Sequence, residues 1–397
     1  MKTTGDQQLV KHINRSVLLR LVRSRPGLSR AQLALRSGLT KSTVSLLVRE
    51  LIAEGWLCED AVASTSGLGR PSTPVQLDGR RRGLIGVELA VDCLRVVSVS
   101  LTGEVLCSLE EPLESKLPER VCAQASHLAR VAYGELDARG VLLTGIGAGL
   151  PGAFDQATGV VRFAPNLGWR NVDFFPMLTQ ALQAAGLPSV PLHVQNEADT
   201  GALSEYEFAQ EEIRETLIFV TCDVGVGAGI VLNDRLYTGS HGMAGEIGHT
   251  ILQVFGELCS CGRRGCAETF VGSVALQREL EFSGNVSRAG RCLGLLVQNL
   301  WTTFDPGVIV LGGGSCVRQP ELVTFARETL HNYAAAAGME PPVIRLARYG
   351  LLASAVGAAA LVLHQHVRPM YPLHPLAQRE MSLRMDVGAP IPPLTEI

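Results

Sequence analysis

HGMAGEIGHTILQVFGELCSCGRRGCAE, residues 241–268, carries His249, Cys259, Cys261 and Cys266 in the pattern H-x9-C-x-C-x4-C. Gly262 and Gly265 fall between the thiolates, where the backbone has to turn tightly. Three soft sulfur ligands and one imidazole suit a closed, tetrahedral Zn²⁺. A site of that kind is structural, because no coordination position is left for water or substrate. Two acids, Glu246 and Glu268, bracket the ligands. A loop fixed by metal would hold these carboxylates and an imidazole edge in a set array, able to grip a polyhydroxylated ligand.

Outward from this loop, the chain has 397 residues, of which 46% are hydrophobic, enough for large cores and more than one domain. No uninterrupted apolar run reaches the roughly 18 residues of a membrane span, and the charged, polar start has no apolar signal core. These features predict a cytoplasmic protein with no membrane partner. Seven of the ten cysteines lie outside the metal motif, scattered mostly in apolar contexts, and read as reduced, packed thiols. The net charge of −3 conceals a division: residues 1–82 carry 14 Lys and Arg against 6 Asp and Glu, a net +8, while the other 315 residues sum to −11. A basic end on an acidic body points to nucleic-acid contact through that end alone.

Within the basic end, Ile13, Val17, Leu18, Leu21 and Val22 recur at helical spacing, and Pro26-Gly27 closes the helix. Ser29-x-x-Gln32 is a capping box for a short second helix that Gly38 ends. A third helix follows Thr40, with Val44, Leu47, Val48 and Leu51 on one face. Lys41, Ser42, Thr43, Ser45 and Arg49 point elsewhere. This is a helix-turn-helix whose last helix suits a major groove. Trp56–Glu59 and Thr73–Leu77 pair as two strands around a wing, and Arg70 at its tip is a candidate for the minor groove or phosphate. The expected division is a winged helix-turn-helix over 1–80, a linker at 81–83 that is either a solvated hinge or a phosphate contact, a body over 84–366 and an extension over 367–397.

The body opens with strands at Leu84–Leu89, Arg95–Ser100 and Val105–Glu110, then a helix over Glu119–Leu136 and a strand near Val141–Ala148. A second strand–turn–strand unit begins at Leu217–Cys222, with Gly225–Gly229 as its turn. The pattern predicts an α/β body built as a duplicated ribonuclease-H-like fold with a ligand cleft between two lobes. The apolar helices Cys292–Phe304 and Ala353–His364 are candidate homodimer surfaces.

Taken together, the helix-turn-helix, GxPG at 149–152, PNLGW at 165–169, the NExD segment at 196–199, GVGAGI at 225–230, AGEIGH and CxCGxxGCxE resemble the ROK family of repressors and sugar kinases, in particular its winged-helix transcriptional regulators. The resemblance covers about residues 10–365. It implies an actin-like ATPase (sugar-kinase) fold, sugar contacts at Asn166, Asn196, Glu197, Glu246, His249 and Glu268, and zinc ligands at His249, Cys259, Cys261 and Cys266. Carboxylates and amides suit sugar hydroxyls, which both donate and accept. The function implied is a sugar-responsive repressor of carbohydrate metabolism that binds operator DNA as a homodimer.

The alternative is an ATP-dependent sugar kinase with a DNA-binding arm, and here the chain departs from the kinases it resembles. Their general-base Asp in NDxN is Glu197 here, with the carboxylate displaced by an extra methylene. Their DxGGTK turn is Glu88-Leu89-Ala90-Val91-Asp92-Cys93, and their GTGxG turn is Asp223-Val224-Gly225-Val226-Gly227. Phosphoryl transfer needs open glycine turns whose amides meet the phosphates, whereas these turns bring side chains and acids. The segment between Glu268 and Gly290 is also shorter than in such kinases, and only Gly312-Gly313-Gly314 keeps the look of an adenosine-side turn. The sequence therefore favours sensing without phosphotransfer and a cleft with no catalytic residue.

Overall fold

In the computed structural model, residues 7–59, 73–209, 216–240 and 242–368 are described. The N-terminal module comprises α1 (Gln7–Ser24), β1 (Leu28–Ser29), α2 (Arg30–Ser37), α3 (Lys41–Ala53), β2 (Leu57–Glu59) and β3 (Pro74–Leu77). Its punctuation is as the sequence predicts: Ser29 and Gln32 form a reciprocal capping box, Gly38 ends α2 in the left-handed region, and Thr40 caps α3. β2 and β3 pair antiparallel, and β1 adds a third strand on the far side of β3. Arg70 and the wing tip lie outside the described residues, as does the extension beyond Arg368.

The body is built on two five-stranded sheets. The first is made by β4 (Arg82–Leu89), β5 (Cys93–Ser100), β6 (Val105–Pro112), β7 (Leu142–Leu150) and β11 (Leu192–Asn196), with α4 (Pro118–Ala138) between β6 and β7. A small antiparallel sheet of β8 (Ala153–Asp155), β9 (Val160–Ala164) and β10 (Trp169–Val172), then α5 (Phe174–Ala184), intervenes before β11. The second sheet uses β12 (Thr216–Cys222), β13 (Val226–Leu232), β14 (Arg235–Leu236), β15 (Val308–Gly312) and β16 (Val343–Leu346). The sheets run β6-β5-β4-β7-β11 and β14-β13-β12-β15-β16, so in each an antiparallel meander precedes two parallel strands in the same spatial order. This is the duplication that the two strand–turn–strand units predict.

Between the sheets lie α6 (Glu197–Glu207) and α12 (Ala353–Val367). The helices approach closely because glycines face backbone: a Cβ on Gly357 would meet Thr200 O, and one on Gly86 or Gly147 would meet carbonyls of α12. On the other side, a Cβ on Gly229 would sit 2.1 Å from Ala198 O. The turn expected at Gly225–Gly229 is therefore corrected: it closes by Gly225, and strand β13 begins at Val226, its glycines clearing space for α6. The stretch Gly350–Val367 is apolar and long enough to span a membrane, yet 72% of it is buried between the lobes. For the same reason Ala353–His364 is not a surface for a second copy. The remaining helices α7 (Glu268–Val271), α8 (Ser273–Ser283), α9 (Ser287–Phe304), α10 (Gly313–Arg318) and α11 (Pro320–Ala337) flank the second sheet. There α9 packs on α11, burying Leu293, Leu296, Val297 and Leu300 of the other proposed dimer helix.

The N-terminal module shares a core with the body: Leu18, Leu19, Val22 and Trp56 belong to one cluster with Leu203, Val362 and Val367. The expected linker is not a solvated hinge. Arg82 starts β4, its Nε donates to Glu54 O at 2.8 Å, and its guanidinium lies over the Trp56 ring. Arg81 Nη1 donates to Ile52 O at 2.9 Å. Both arginines donate to carbonyls at the C-terminal end of α3, where a helix runs short of backbone donors.

Candidate functional site

The metal motif folds into a compact loop between β14 and α7. Gly262 and Gly265 have φ of 87° and 74°, and a Cβ on Gly265 would collide with Gln253 O at 1.7 Å, so glycine is required there. Single ligand atoms from His249, Cys259, Cys261 and Cys266 all lie within 4.8 Å of one another. Cys261 Sγ and Cys266 Sγ are 3.7 Å apart, as are Cys259 Sγ and His249 Nδ1. Tetrahedral zinc with Zn–S bonds of about 2.3 Å separates its sulfur ligands by about 3.8 Å, so the donor set fits a metal of this kind.

His249 faces two ways. Nδ1 is the atom nearest Cys259, while Nε2 lies 3.9 Å from Glu246 Oε2. Glu268 opens α7; its Oε2 accepts Val226 N–H at 3.3 Å and its Oε1 accepts Ser260 Oγ at 3.3 Å, tying β13 to the metal loop. Both acids thus stand directly on the loop that the ligands shape.

Beside them a cavity of about 240 Å³ opens between the lobes, lined among others by Asn166, Glu197, Glu88, Asp223, Arg95 and Leu280. Asn166 sits in the turn Pro165–Leu167, and Glu197 is the first residue of α6. Of the six expected sugar contacts, these two line the cavity; Glu246, His249 and Glu268 stand on the neighbouring metal loop and are not part of its lining, and Asn196 serves the helix instead. As N-cap of α6 its Oδ1 accepts Ala198 N–H at 2.7 Å and its Nδ2 donates to Gly152 O at 2.9 Å, and it is not among the cavity-lining residues. Its amide holds Glu197 in place by capping the helix that carries it.

The two turns that differ from the kinases are filled from within. Glu88 forms an ion pair with Arg95 Nη1 at 3.3 Å. Asp223 Oδ1 accepts Gly314 N–H at 2.6 Å, taking the amide of the remaining glycine turn. Burial raises the Glu88 carboxyl to about 7, with Asp223 adding to the rise and Arg95 opposing it. Glu197 is lifted to about 8 by burial and by the neighbouring charges of Glu88 and Asp223, and Asp199 to about 8 by burial and Glu246. Crowding and burial thus favour the protonated form of these acids.

In the N-terminal module, Lys41, Ser42 and Arg49 of α3 are exposed. Thr43 and Ser45 are partly covered, and the Thr43 amide and hydroxyl are both engaged with Thr40 Oγ1. The acids at the C-terminal end of α3 are paired with cations of α1: Lys11 with Glu50, and Arg15 with Glu54 just past the helix. Arg36 on α2 is also exposed, a cation that periodicity alone did not single out. A group of residues that sequence spacing could not assemble joins this module to the body. Arg23 of α1 faces Glu207 at the end of α6, Arg20 pairs with Asp234 at 3.0 Å, and Arg368 pairs with both Glu207 and Asp234.

The ROK family model matches residues 127–287 and 283–365, and the IclR helix-turn-helix domain model matches residues 16–61. The Xylose repressor of Caldicellulosiruptor bescii is 32% identical over 281 residues, 68% of this chain and 67% of that protein. A solved structure described as a ROK family transcriptional regulator, homolog of the E. coli MLC protein, has the same fold, with a TM-score of 0.71 at 23% identity over 90% of this chain and 97% of that one. A ROK hexokinase from Thermus thermophilus matches at 29% identity with a TM-score of 0.59, over 70% of this chain and 97% of that one. With an actin-like body, a His/Cys3 loop and a helix-turn-helix in one chain, this protein belongs to the ROK family.

Proposed function

We propose that this chain is a sugar-responsive repressor that acts in the cytoplasm as a homodimer, two winged helices gripping the half-sites of an operator. The observation that carries the reading is the course of α6. Its first residue, Glu197, lines the cleft, and its last, Glu207, is ion-paired with Arg23 of the helix that begins the DNA-binding module. A saccharide held by Asn166, Glu197, Glu246, His249 and Glu268 would draw the lobes together around α6, and movement of α6 against α1 would re-aim α3. Ligand shifts operator affinity only through its differential binding to the two arrangements. Half-sites lie about 34–36 Å apart, so a small rotation suffices to misplace one recognition helix.

His249, Cys259, Cys261 and Cys266 would hold Zn²⁺, whose charge and fixed coordination keep the loop, and with it Glu246 and Glu268, in register. Lys41, Ser42, Thr43, Ser45 and Arg49, with Arg70 of the wing, are the DNA candidates. Support for the reading comes from the relative named Xylose repressor, from the helix-turn-helix match and from the pairing of Glu50 and Glu54 with cations of α1, which leaves Lys41 and Arg49 exposed on α3.

The second reading, a sugar kinase, has the hexokinase relative and the general-base position of Glu197 in its favour. Glu88 and Asp223 in the phosphate turns argue against it. Two assays on the purified chain decide between them: fluorescence anisotropy of an operator fragment titrated with sugars, and ADP release with the same sugars. Sugar-dependent loss or gain of operator affinity without turnover is the expected result; sustained turnover would overturn it.

A further inference from the structure

The cavity does not stop at the residues implied for one sugar ring. From Asn166 and Glu197 it continues past Glu88 and Asp223 to Gln277 and Leu280 on α8, space that a nucleotide would need if the turns admitted one. Three observations say what can occupy it. Glu88 is 7% exposed, it lines the cavity, and its Oε2 has no hydrogen-bond partner, so a buried polar atom is left unsatisfied at the cavity wall. Such an atom calls for a ligand group. The charge census of the lining is Glu88, Asp92, Glu197 and Asp223 against Arg95 and Arg318. Of those two cations, Arg95 is already held by Glu88 and by Glu110 at 2.7 Å, and Arg318 acts on the Asp223 charge. Acids therefore outnumber cations four to two along this lining. The far wall mixes Leu276, Leu280 and Leu351 with Gln277 and Gln319, an amphipathic surface of the sort that takes the apolar and hydroxyl-bearing faces of a sugar ring.

We infer that the effector is an uncharged saccharide of at least two rings, the first on the metal-loop side and the second in the former nucleotide half of the cleft, hydrogen-bonded to Glu88 Oε2, and that sugar phosphates are excluded. This rests on the sugar-sensing reading and narrows it. Hydroxyls suit these acids because they donate to a carboxylate and accept from a carboxylic acid, and carboxyls raised to about 7 and 8 present both forms near neutral pH. A phosphate in the same place would bring two more negative charges beside buried acids, which a low-dielectric cleft penalises strongly.

The test is isothermal titration of the full zinc-loaded chain with matched series: xylose, xylobiose and xylose 5-phosphate; glucose, cellobiose, maltose and glucose 6-phosphate; N-acetylglucosamine, chitobiose and N-acetylglucosamine 6-phosphate. One series is expected to show the disaccharide binding at least tenfold tighter than its monosaccharide, and the phosphate at least tenfold weaker. Leu280→Trp, which fills the far end, removes the disaccharide gain, and Glu88→Gln lessens it and relieves the penalty on the phosphate. Circular dichroism checks that both variants are folded. Monosaccharide binding with no disaccharide gain, or tighter binding of a phosphate, overturns this inference and leaves the sensing reading intact. Failure of every saccharide to bind overturns both.

Discussion

Glu207 Oε2 lies 3.3 Å from Arg23 Nη1, a contact between the last residue of the cleft helix and the first helix of the DNA-binding module, 184 positions apart in the chain. Glu207 is fully buried, and its other oxygen takes both Arg368 Nη1 and His364 Nδ1 at 2.6 Å. Arg23 also donates to Tyr206 O at 2.7 Å. Although burial alone would raise it, Arg23 and Arg368 bring the Glu207 carboxyl down to about 2.

Glu207→Gln removes the only carboxylate facing Arg23 and Arg368 on α6, leaving cations under-compensated in the interior. The expected loss of stability in urea unfolding is about 3–5 kcal/mol. The pH dependence follows from the sign of the shift. A carboxylate depressed in the folded state contributes fully above its ordinary value and is lost as pH falls toward the folded one, here from about 4.5 to about 2. The wild-type chain should therefore lose stability more steeply than Glu207→Gln through that window; parallel curves would contradict the assignment.

Glu88 has the opposite sign. Its folded value of about 7 exceeds the ordinary 4.5, so its contribution is complete below that ordinary value and declines as pH rises through the folded one. Glu88→Gln should flatten the fall of thermal stability between pH 5 and 8, by about 1–3 kcal/mol at the upper end. Differential scanning at four pH values reads this directly.

Cys261→Ser should reduce bound zinc below one per chain by atomic absorption, lower the melting temperature, and weaken saccharide binding through misplacement of Glu246 and Glu268. Chelation of the wild-type chain should do the same. A chain that binds saccharide normally without metal would show that the loop holds its shape by packing alone.

Lys41→Ala and Arg49→Ala should each weaken operator binding, and a phosphate contact among them should lower the salt slope of log K by about 1. A variant that instead relaxes sequence preference at one operator position, costing about 1–3 kcal/mol there, identifies a base contact. Arg36→Ala on α2 is expected to behave as a phosphate contact.

Much of this architecture was legible because its signals are local. The Ser29–Gln32 capping box, the Gly38 stop and the H-x9-C-x-C-x4-C spacing each act within a few residues, and the structure reproduces all three. The repeated strand–turn–strand pattern predicted two like lobes, and the sheets share one strand order. What spacing misjudged depended on distant partners. The glycines after Gly225 read as a turn, yet they lie on β13 because Ala198 of α6 presses against them. Arg80–Arg82 read as either a solvated hinge or a phosphate contact, yet Arg81 and Arg82 reach the carbonyls ending α3. Ala353–His364 looked like a dimer face because it is apolar all round, which is equally the mark of a helix buried between two sheets. Asn196 looked like a ligand contact and is occupied as a helix cap. The Arg23–Glu207–Arg368 cluster had no sequence signal, since its members belong to three separate elements.

The central claim, that the cleft speaks to the DNA-binding helices through α6, is tested most directly by operator anisotropy of the wild-type chain and Glu207→Gln, each with and without the saccharide that binds best by calorimetry. The account predicts that saccharide changes wild-type operator affinity at least tenfold, whereas Glu207→Gln, folded and still binding both ligands, shows less than a third of that change on a logarithmic scale. An undiminished response in Glu207→Gln would contradict it.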